Sequence, residues 1–490
     1  MFDVKKDLLF QILDRFSENQ FLISETRVWT FRKFFGEAFL FSNFLNIKPG
    51  KKVPIFSDNP EILLKSILAL WLKRAVAVPL NPCLPFSKKK ELLNKVGCIE
   101  GFSTGLLNNF DEKFSKHKYK NQLISQNGKR GKLNLVKTKI SINTKAWGTI
   151  IFTSGSSGPE KAVVHSISNH FFSALGANEF MPLCSGDRWL LSLPLYHVGG
   201  LAIFFRILLS GAAMVTSPEK ENIEETIEKY KITHLSLVPT QLFRLMQTKV
   251  GRDSLVKLKL ILLGGAPIPF SLLQKSSELG LNIKTTYGST EMTSQIATGG
   301  IDSFQILPFR EVRISHENEI EVRGKTLFKG YYEKEKLSKP FDKNGWFKTG
   351  DLGCWSSIKN QLGNNKLGLK NSLKILGRFD NMFISGGENI LPEEIENVLY
   401  QSKMVDQAIV VSVEDPEFGK RPVVFIKYAG SSSEAKIRKY LEKNILKFKI
   451  PDLFLPWENS FESVFKHRRK ELSKIAQPKF DNWRKKCPKV

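Results

Sequence analysis

Apolar and polar positions along this chain alternate between two rhythms. Short, almost continuous apolar runs end at Gly or Pro, as at residues 189–194, 234–239 and 258–265. Between them lie segments of helix-like composition, such as residues 222–230 and 240–248. Apolar runs of this length bounded by such punctuation read as buried strands. Strands alternating with helical segments predict an α/β architecture with largely parallel sheets. Sheets of that kind hold ligands at their strand ends. After about Tyr332 the rhythm changes. Gly345-Trp346-Phe347 and Leu373-Lys374-Ile375-Leu376 read as short strands of a β-rich section, with an Asn/Lys/Gly-rich loop at 356–372 between them. A compact α/β pattern then runs to about Leu472. The expected organisation is a large N-terminal unit, residues 1–379, of parallel-type sheets flanked by helices plus the β-rich section, and a small α+β C-terminal unit, residues 380–490. A length of 490 residues supports such a division, because single cores seldom grow beyond ~250–300 residues.

Composition changes this picture little, and charge changes it more. The net charge is +26. Residues 113–139 hold nine Lys/Arg and no acid, and residues 464–490 hold ten against two acids. No helix-turn-helix, zinc-finger or RNP signature accompanies them, so nucleic acid is not the expected partner. A solvated basic surface that attracts small anionic ligands is the expectation. The five cysteines, Cys83, Cys98, Cys184, Cys354 and Cys487, are scattered and form no C-x-x-C. That argues against a metal or disulfide framework and fits a reducing, cytoplasmic compartment. The N-terminus has no apolar core directly after its basic start, so no signal peptide is expected. The most apolar stretch, residues 189–215, is interrupted by Pro194, His197 and Arg206, and reads as strand, loop and helix rather than a membrane span. A homo-oligomer is compatible with all of this.

The chemistry concentrates in four motifs. An apolar strand, Gly148-Thr149-Ile150-Ile151-Phe152, should deliver the loop Thr153-Ser154-Gly155-Ser156-Ser157-Gly158-Pro159-Glu160-Lys161 to the edge of a sheet. Its glycines allow close backbone approach. Its hydroxyls and free N–H groups can surround phosphate oxygens, and Lys161 adds a point charge. The spacing is not that of a P-loop NTPase. In Thr286-Tyr287-Gly288-Ser289-Thr290-Glu291 an aromatic beside Gly can lie on a purine, and the Thr and carboxylate can meet a phosphate and its Mg²⁺. In Gly345-Trp346-Phe347-Lys348-Thr349-Gly350-Asp351 the Asp can accept from both hydroxyls of a ribose, or can cap a turn. The last motif joins Gly377-Arg378-Phe379-Asp380 to Gly386-Gly387-Glu388, with Pro392 and following acids as a helix start.

In this order and spacing the motifs resemble those of the adenylate-forming superfamily of acyl-CoA synthetases, luciferases and peptide-synthetase adenylation domains. The resemblance covers nearly the whole chain, residues 30–472. It implies that Thr153, Ser154, Gly155, Ser156, Ser157, Gly158 and Lys161 hold the phosphates of ATP, and that Gly264, Gly265 and Ala266 line adenine and the acyl pocket. It further implies that Tyr287, beside Gly288, stacks on adenine, that Thr290 touches phosphate, and that Glu291 binds Mg²⁺. Asp351 and Arg378 would hold the ribose. Asp380 would be the hinge of a mobile C-terminal domain, and Gly386 and Gly387 its CoA-facing side. The superfamily's catalytic lysine stands in G-K-x-x-R-x-x-L. Here Phe465-Lys466-His467-Arg468-Arg469-Lys470-Glu471-Leu472 keeps the Lys, Arg and Leu but has Phe465 for the Gly. Lys466 is thus the expected catalytic lysine, acting with Thr153 and Glu291, and Lys470 is the alternative.

Within the superfamily the chain is most similar to o-succinylbenzoate–CoA ligases of menaquinone biosynthesis, through Leu193-Pro194-Leu195-Tyr196-His197-Val198-Gly199-Gly200 and residues 236–242, 262–269, 380–388 and 417–423. The resemblance implies an acid–thiol ligase using ATP, Mg²⁺ and coenzyme A. His197, Gly264 and Arg206 are the candidate acyl-pocket residues. Arg206 is the only charged residue in 201–209. It either anchors a spare substrate carboxylate or lies on a helix's solvent face. Two rival expectations are a CoA ligase for another aryl or fatty acid, and a basic nucleic-acid-binding protein on an inactive scaffold. Intact Glu291, Asp351 and Lys466 weigh against the second.

Overall fold

The computed structural model describes residues 3–4, 8–98, 142–153, 160–217, 221–266, 268–300, 303–357, 371–458 and 469–486. Its architecture is α/β. A large sheet has at its centre the parallel strands Gln20–Ile23, Ala213–Val215, Arg188–Leu190, His234–Leu237, Leu260–Leu263 and Ile283–Ser289. The apolar runs at 189–194, 234–239 and 258–265 are thus the middle of this sheet. The β-rich section is not separate from it. Ser294–Gly299, Phe304–Ile306, Asn371–Arg378, Phe347–Ser357, Glu319–Gly324 and Arg310–Ile314 continue the same sheet with antiparallel pairing. The loop expected at 356–372 is strand at both flanks, and its middle lies outside the described residues.

A second sheet of six strands runs in the order Lys336–Ser338, Gly330–Glu333, Lys161–Ser166, Trp147–Thr153, Val76–Leu80 and Lys52–Phe56. Trp147–Thr153 and Lys161–Ser166 are neighbours inside this sheet, paired antiparallel with Thr153 opposite Lys161. The Ser/Gly segment thus links two strands paired inside the sheet's strand order, and residues 154–159 themselves lie outside the described residues. Interior placement follows from the burial of Ile150, Ile151, Val163 and Val164 on strands with apolar neighbours on either side.

Two helices pack together behind this hairpin. Ile167–Phe180 starts at a capping box in which the Ser166 side chain accepts from Asn169 N–H and Asn169 accepts from Ser166 N–H. Val198–Ser210 ends at Gly211, whose φ of 72° is the left-handed stop that glycine tolerates. Every residue from Gly200 to Ser210 is buried. Gly200 itself has no room for a side chain, since a Cβ would lie 2.2 Å from the Pro194 carbonyl oxygen. Among the described residues no helix is long and apolar enough to cross a membrane.

The C-terminal part holds a sheet of Val405–Asp415, Gly419–Tyr428 and Leu453–Pro456, covered by helices Pro392–Gln401, Glu434–Asn444 and Arg469–Lys486. Pro392 occupies the first turn of its helix with Glu393 and Glu394 behind it, the start that the sequence predicts. This helix packs on strand Asn371–Arg378 and on helix Phe270–Glu278.

Candidate active site

The strand register builds the first part of the site. Asp351 and Arg378 stand directly opposite each other on adjacent antiparallel strands. Arg378 Nη1 donates to Asp351 Oδ1 at 2.8 Å and to the Thr349 carbonyl at 3.1 Å. The Tyr287 hydroxyl donates to Asp351 Oδ2 at 2.7 Å. Arg378 Nη2 reaches Asp380 at 3.3 Å. Gly350, with φ 72°, makes this approach possible, because a Cβ there would sit 3.0 Å from Arg378 Nη2. Burial raises the Asp351 carboxyl above its usual range, although Arg378 opposes the shift. Burial and then the Asp351 charge push the Tyr287 hydroxyl well up, so it stays a proton donor. Each Asp351 oxygen keeps a further lone pair for a ligand. Arg378 Nε is buried and has no partner among the described residues.

The second part lies just beyond strand Ile283–Ser289. Tyr331 donates its hydroxyl to Glu291 Oε1 at 2.8 Å. The other Glu291 oxygen has no partner among the described residues. The Lys161 ammonium sits 4.9 Å from the Tyr331 ring centroid. Lys161, Glu291 and, by strand pairing, Thr153 are therefore gathered by one tyrosine and one hairpin. The Thr290 carbonyl accepts from His165 Nε2 at 2.7 Å. Ser154, Gly155, Ser156, Ser157 and Gly158 lie outside the described residues.

The third part holds the residues expected to line the acyl pocket. Gly264 follows strand Leu260–Leu263, and a Cβ on it would meet Thr286 Cγ2 at 2.3 Å. Gly265 has φ 81° and is exposed, with Ala266 beside it. Thr286 Oγ1 accepts from Gln295 Nε2 at 2.9 Å, and Gln295 Oε1 accepts from Arg206 Nη2 at 2.5 Å. Arg206 is thus buried, at 2% exposure, and does not lie on a solvent face. Its Nε has no partner among the described residues, and its guanidinium lies 5.2 Å from the Trp189 ring centroid. Arg310, also buried, donates through Nε to the Gln295 carbonyl at 2.7 Å. Neither arginine has a carboxylate partner among the described residues. Burial brings Arg206 down to about 10. Burial, and then the charge of Arg206, bring Arg310 down to about 9. His197 is exposed at the N-cap of helix Val198–Ser210, its ring edge-on to Tyr196.

In the C-terminal part, Lys466 lies outside the described residues. Lys470 is exposed on helix Arg469–Lys486. Arg469 turns inward, paired with Glu396 and Glu393. Gly386 and Gly387 have φ of 57° and 87° in an exposed turn, and Asp380 is exposed beside Arg378.

This assembly is the setting for the comparisons with known proteins. The AMP-binding enzyme family model matches residues 9–332, and the AMP-binding enzyme C-terminal domain matches residues 394–459. The chain belongs to the AMP-binding enzyme family. It is 34% identical over 418 residues to the 2-succinylbenzoate–CoA ligase of Salmonella typhimurium, which covers 83% of this chain and 82% of the relative. Among solved structures it is similar to E. coli MenE with a bound m-phenylether-linked analogue of OSB-AMS, with a TM-score of 0.74, 28% identity and coverage of 96% and 98% of the two chains. It is also similar to the o-succinylbenzoate CoA synthetase of Bacillus subtilis in complex with the acyl-adenylate OSB-AMP, with a TM-score of 0.72, 26% identity and coverage of 95% and 97%.

A magnesium ion fits the residues present. Mg²⁺ favours one or two carboxylates together with phosphate oxygens and water. Glu291, with one oxygen accepting from Tyr331 and Thr290 adjacent in the chain, would be such a donor. Among the described residues no cluster of three His, Cys, Asp or Glu could hold a metal by itself, so nucleotide oxygens would complete the shell. Sequence reasoning missed Tyr331, Gln295 and His165. Tyr331 had a signal, the Gly330-Tyr331-Tyr332 run closing a strand. Gln295 and His165 had none, because each acts through a partner distant in sequence.

Proposed function

We propose that this enzyme joins 2-succinylbenzoate to coenzyme A at the expense of ATP, by way of an enzyme-bound acyl-adenylate. The observation that carries the nucleotide reading is the Tyr287–Asp351–Arg378 cluster, which offers a flat ring, a carboxylate with free lone pairs and a buried donor that is unpaired among the described residues. Tyr287 stacks on adenine, and Asp351 with Arg378 holds the ribose hydroxyls. Gly288, Gly265 and Ala266 border the base. The loop Ser154, Gly155, Ser156, Ser157 and Gly158, with Thr153, Lys161 and Thr290, binds the phosphates. Mg²⁺ held by Glu291 neutralises phosphate charge when bound.

The substrate carboxylate attacks the α-phosphorus, the bond to pyrophosphate breaks, and Lys466 stabilises the charge that builds on the transferring group. Rotation of residues 380–490 about Asp380 then brings the Gly386–Gly387 turn to the site. The CoA thiol attacks the acyl carbonyl, AMP leaves, and the thiol proton passes to solvent. Most of the catalytic effect is positioning and charge stabilisation.

The acid assignment rests on Arg206. A buried guanidinium beside a second buried arginine, neither with a carboxylate partner among the described residues, favours a dianionic substrate over a fatty acid. The spare carboxylate binds there directly or through water, with His197 at the mouth and Gly264 leaving room for a flat ring. The reaction belongs in the cytoplasm, where ATP and CoA are available and thiols stay reduced. The four described cysteines are all free. A panel of acids assayed for CoA-thioester formation tests the reading. 2-Succinylbenzoate is expected to be the best substrate, and Arg206→Leu to raise its KM by tenfold or more, on the order of one charge-assisted hydrogen bond. Preference for a monocarboxylate, or an unchanged KM in Arg206→Leu, would discard the assignment of the acid.

A further inference from the structure

The strand that leaves the Ser/Gly hairpin, Lys161–Ser166, carries a fully buried histidine, His165. Its Nε2 lies 2.7 Å from the carbonyl oxygen of Thr290. A carbonyl can only accept, so Nε2 carries the proton. Nδ1 is then an acceptor, facing the Thr149 hydroxyl at 3.5 Å across the strand pair. Thr149 Oγ1 is in turn 2.8 Å from Nε2 of His170, whose ring stacks on Phe205 at 4.6 Å between centroids. One proton arrangement satisfies every contact. His170 donates to Thr149, Thr149 donates to His165, and His165 donates to Thr290. Burial holds both rings neutral, His165 down to about 4, so the array brings a donor to the site without a charge.

The acceptor at its end is a peptide carbonyl of the proposed phosphate and metal segment. Thr290 O also accepts from Thr293 N–H at 3.0 Å, and the Glu291 carbonyl accepts from Phe328 N–H at 2.8 Å. Among the described residues, His165 adds the one side-chain hydrogen bond from this strand pair to the turn. Its ring is buried beneath the turn, so it does not reach substrate. A core histidine serving only stability would be satisfied by any buried acceptor. This one holds the carbonyl of the peptide that leads directly into Glu291.

We propose that His165 is a positioning residue for adenylate formation, fixing the Thr290–Glu291 peptide relative to strand Lys161–Ser166 so that Glu291 and Lys161 address the same Mg·ATP. The proposal rests on the reading that Glu291 binds the metal. Partners that orient a metal-binding group typically contribute about 10–100-fold to metal affinity or activity.

The test uses the full-length enzyme and three variants. In His165→Gln the amide nitrogen can reach the position of Nε2 and keeps the donor, whereas His165→Leu removes it. Glu291→Gln reports on the metal reading itself. ATP–pyrophosphate exchange is measured against Mg²⁺ concentration, beside thioester formation from supplied acyl-adenylate. His165→Leu is expected to raise the half-saturating Mg²⁺ about tenfold or more and to slow exchange, while thioester formation stays within about threefold. His165→Gln should recover most of the exchange. Equal loss in both half-reactions, or no advantage of Gln over Leu, would overturn the proposal. If Glu291→Gln shifts the Mg²⁺ dependence and His165→Leu does not, positioning by His165 is refuted while the metal reading stands. If Glu291→Gln leaves that dependence unchanged, the metal reading fails and the proposal with it. Should His165→Leu not fold, Thr149→Val takes its place. It removes the hydroxyl that fixes the His165 tautomer, and a Mg²⁺ dependence matching the native enzyme would count against the proposal.

Discussion

Arg469 stands three residues after Lys466, and what it touches determines how firmly that end of the chain is rooted. Its guanidinium grips the buried Glu396 carboxylate with both Nη atoms, at 2.5 and 2.9 Å. It also donates to the Val410 carbonyl at 2.6 Å and to Glu393 at 3.2 Å. Glu396 accepts in addition from Val410 N–H, and Glu393 from Asn381 beside the proposed hinge. Two buried carboxylates therefore depend on one cation. Arg469→Met keeps much of the volume and leaves both acids without it. Breaking a buried pair in this way costs about 3–5 kcal/mol.

The pH dependence carries a definite sign. Burial raises Glu396 above the usual carboxylate range, with Arg469 opposing. A raised carboxyl contributes stability that is full below its ordinary value of 4.5 and is lost as pH rises through the shifted value. Removing Arg469 raises it further, so the deficit of Arg469→Met should be smaller at pH 5 than at pH 8. Urea unfolding at the two pH values measures this, and Arg469→Met with Glu396→Gln should recover a large part of the loss. A deficit below about 1 kcal/mol, the scale of an exposed pair, or one independent of pH, would refute the reasoning. Adenylation should fall in the single variant, since the helix that follows Lys466 loses its anchor.

The remaining predictions concern the two halves of the site and its buried histidines. Tyr287→Phe keeps the ring but removes a hydrogen bond to a carboxylate, about 1.5–3 kcal/mol, so KM for ATP should rise on the order of tenfold or more; an unchanged KM would argue against the ribose role of Asp351. Gly264→Ala places a methyl against Thr286, which holds Gln295 and through it Arg206, so steady-state assays should show KM for the acid rising well before KM for ATP. His165 and His170 are both depressed by burial, His170 further by the neighbouring His165 and His165 also by Lys329. The stability they contribute is full above about 6.5 and is lost as pH falls towards 4, so thermal unfolding of His165→Gln should decline less between pH 7 and pH 5 than that of the native enzyme.

How much of this was legible in the chain depended on whether a residue's neighbours in sequence are also its neighbours in space. Three of the parallel strands, Arg188–Leu190, His234–Leu237 and Leu260–Leu263, were legible because each lies in a short apolar run closed by Gly or Pro. Asp351, Arg378 and Glu291 stood out through the glycines beside them. Their grouping did not, since it is set by strand register, which depends on partners far along the chain. The continuity of the β-rich section with the main sheet was hidden for the same reason. Arg206 shows a different limit. Its sequence neighbours are apolar on every side, so no periodicity marks an inner and an outer face of its helix. That absence was itself the clue. A helix buried from Gly200 to Ser210 has no solvent face on which to put a charge. An arginine there must find an acceptor inside the protein, or in what the protein binds. Gln295 supplies an acceptor for one guanidinium nitrogen, and Nε, which has no acceptor among the described residues, is the donor that the proposed ligand would meet.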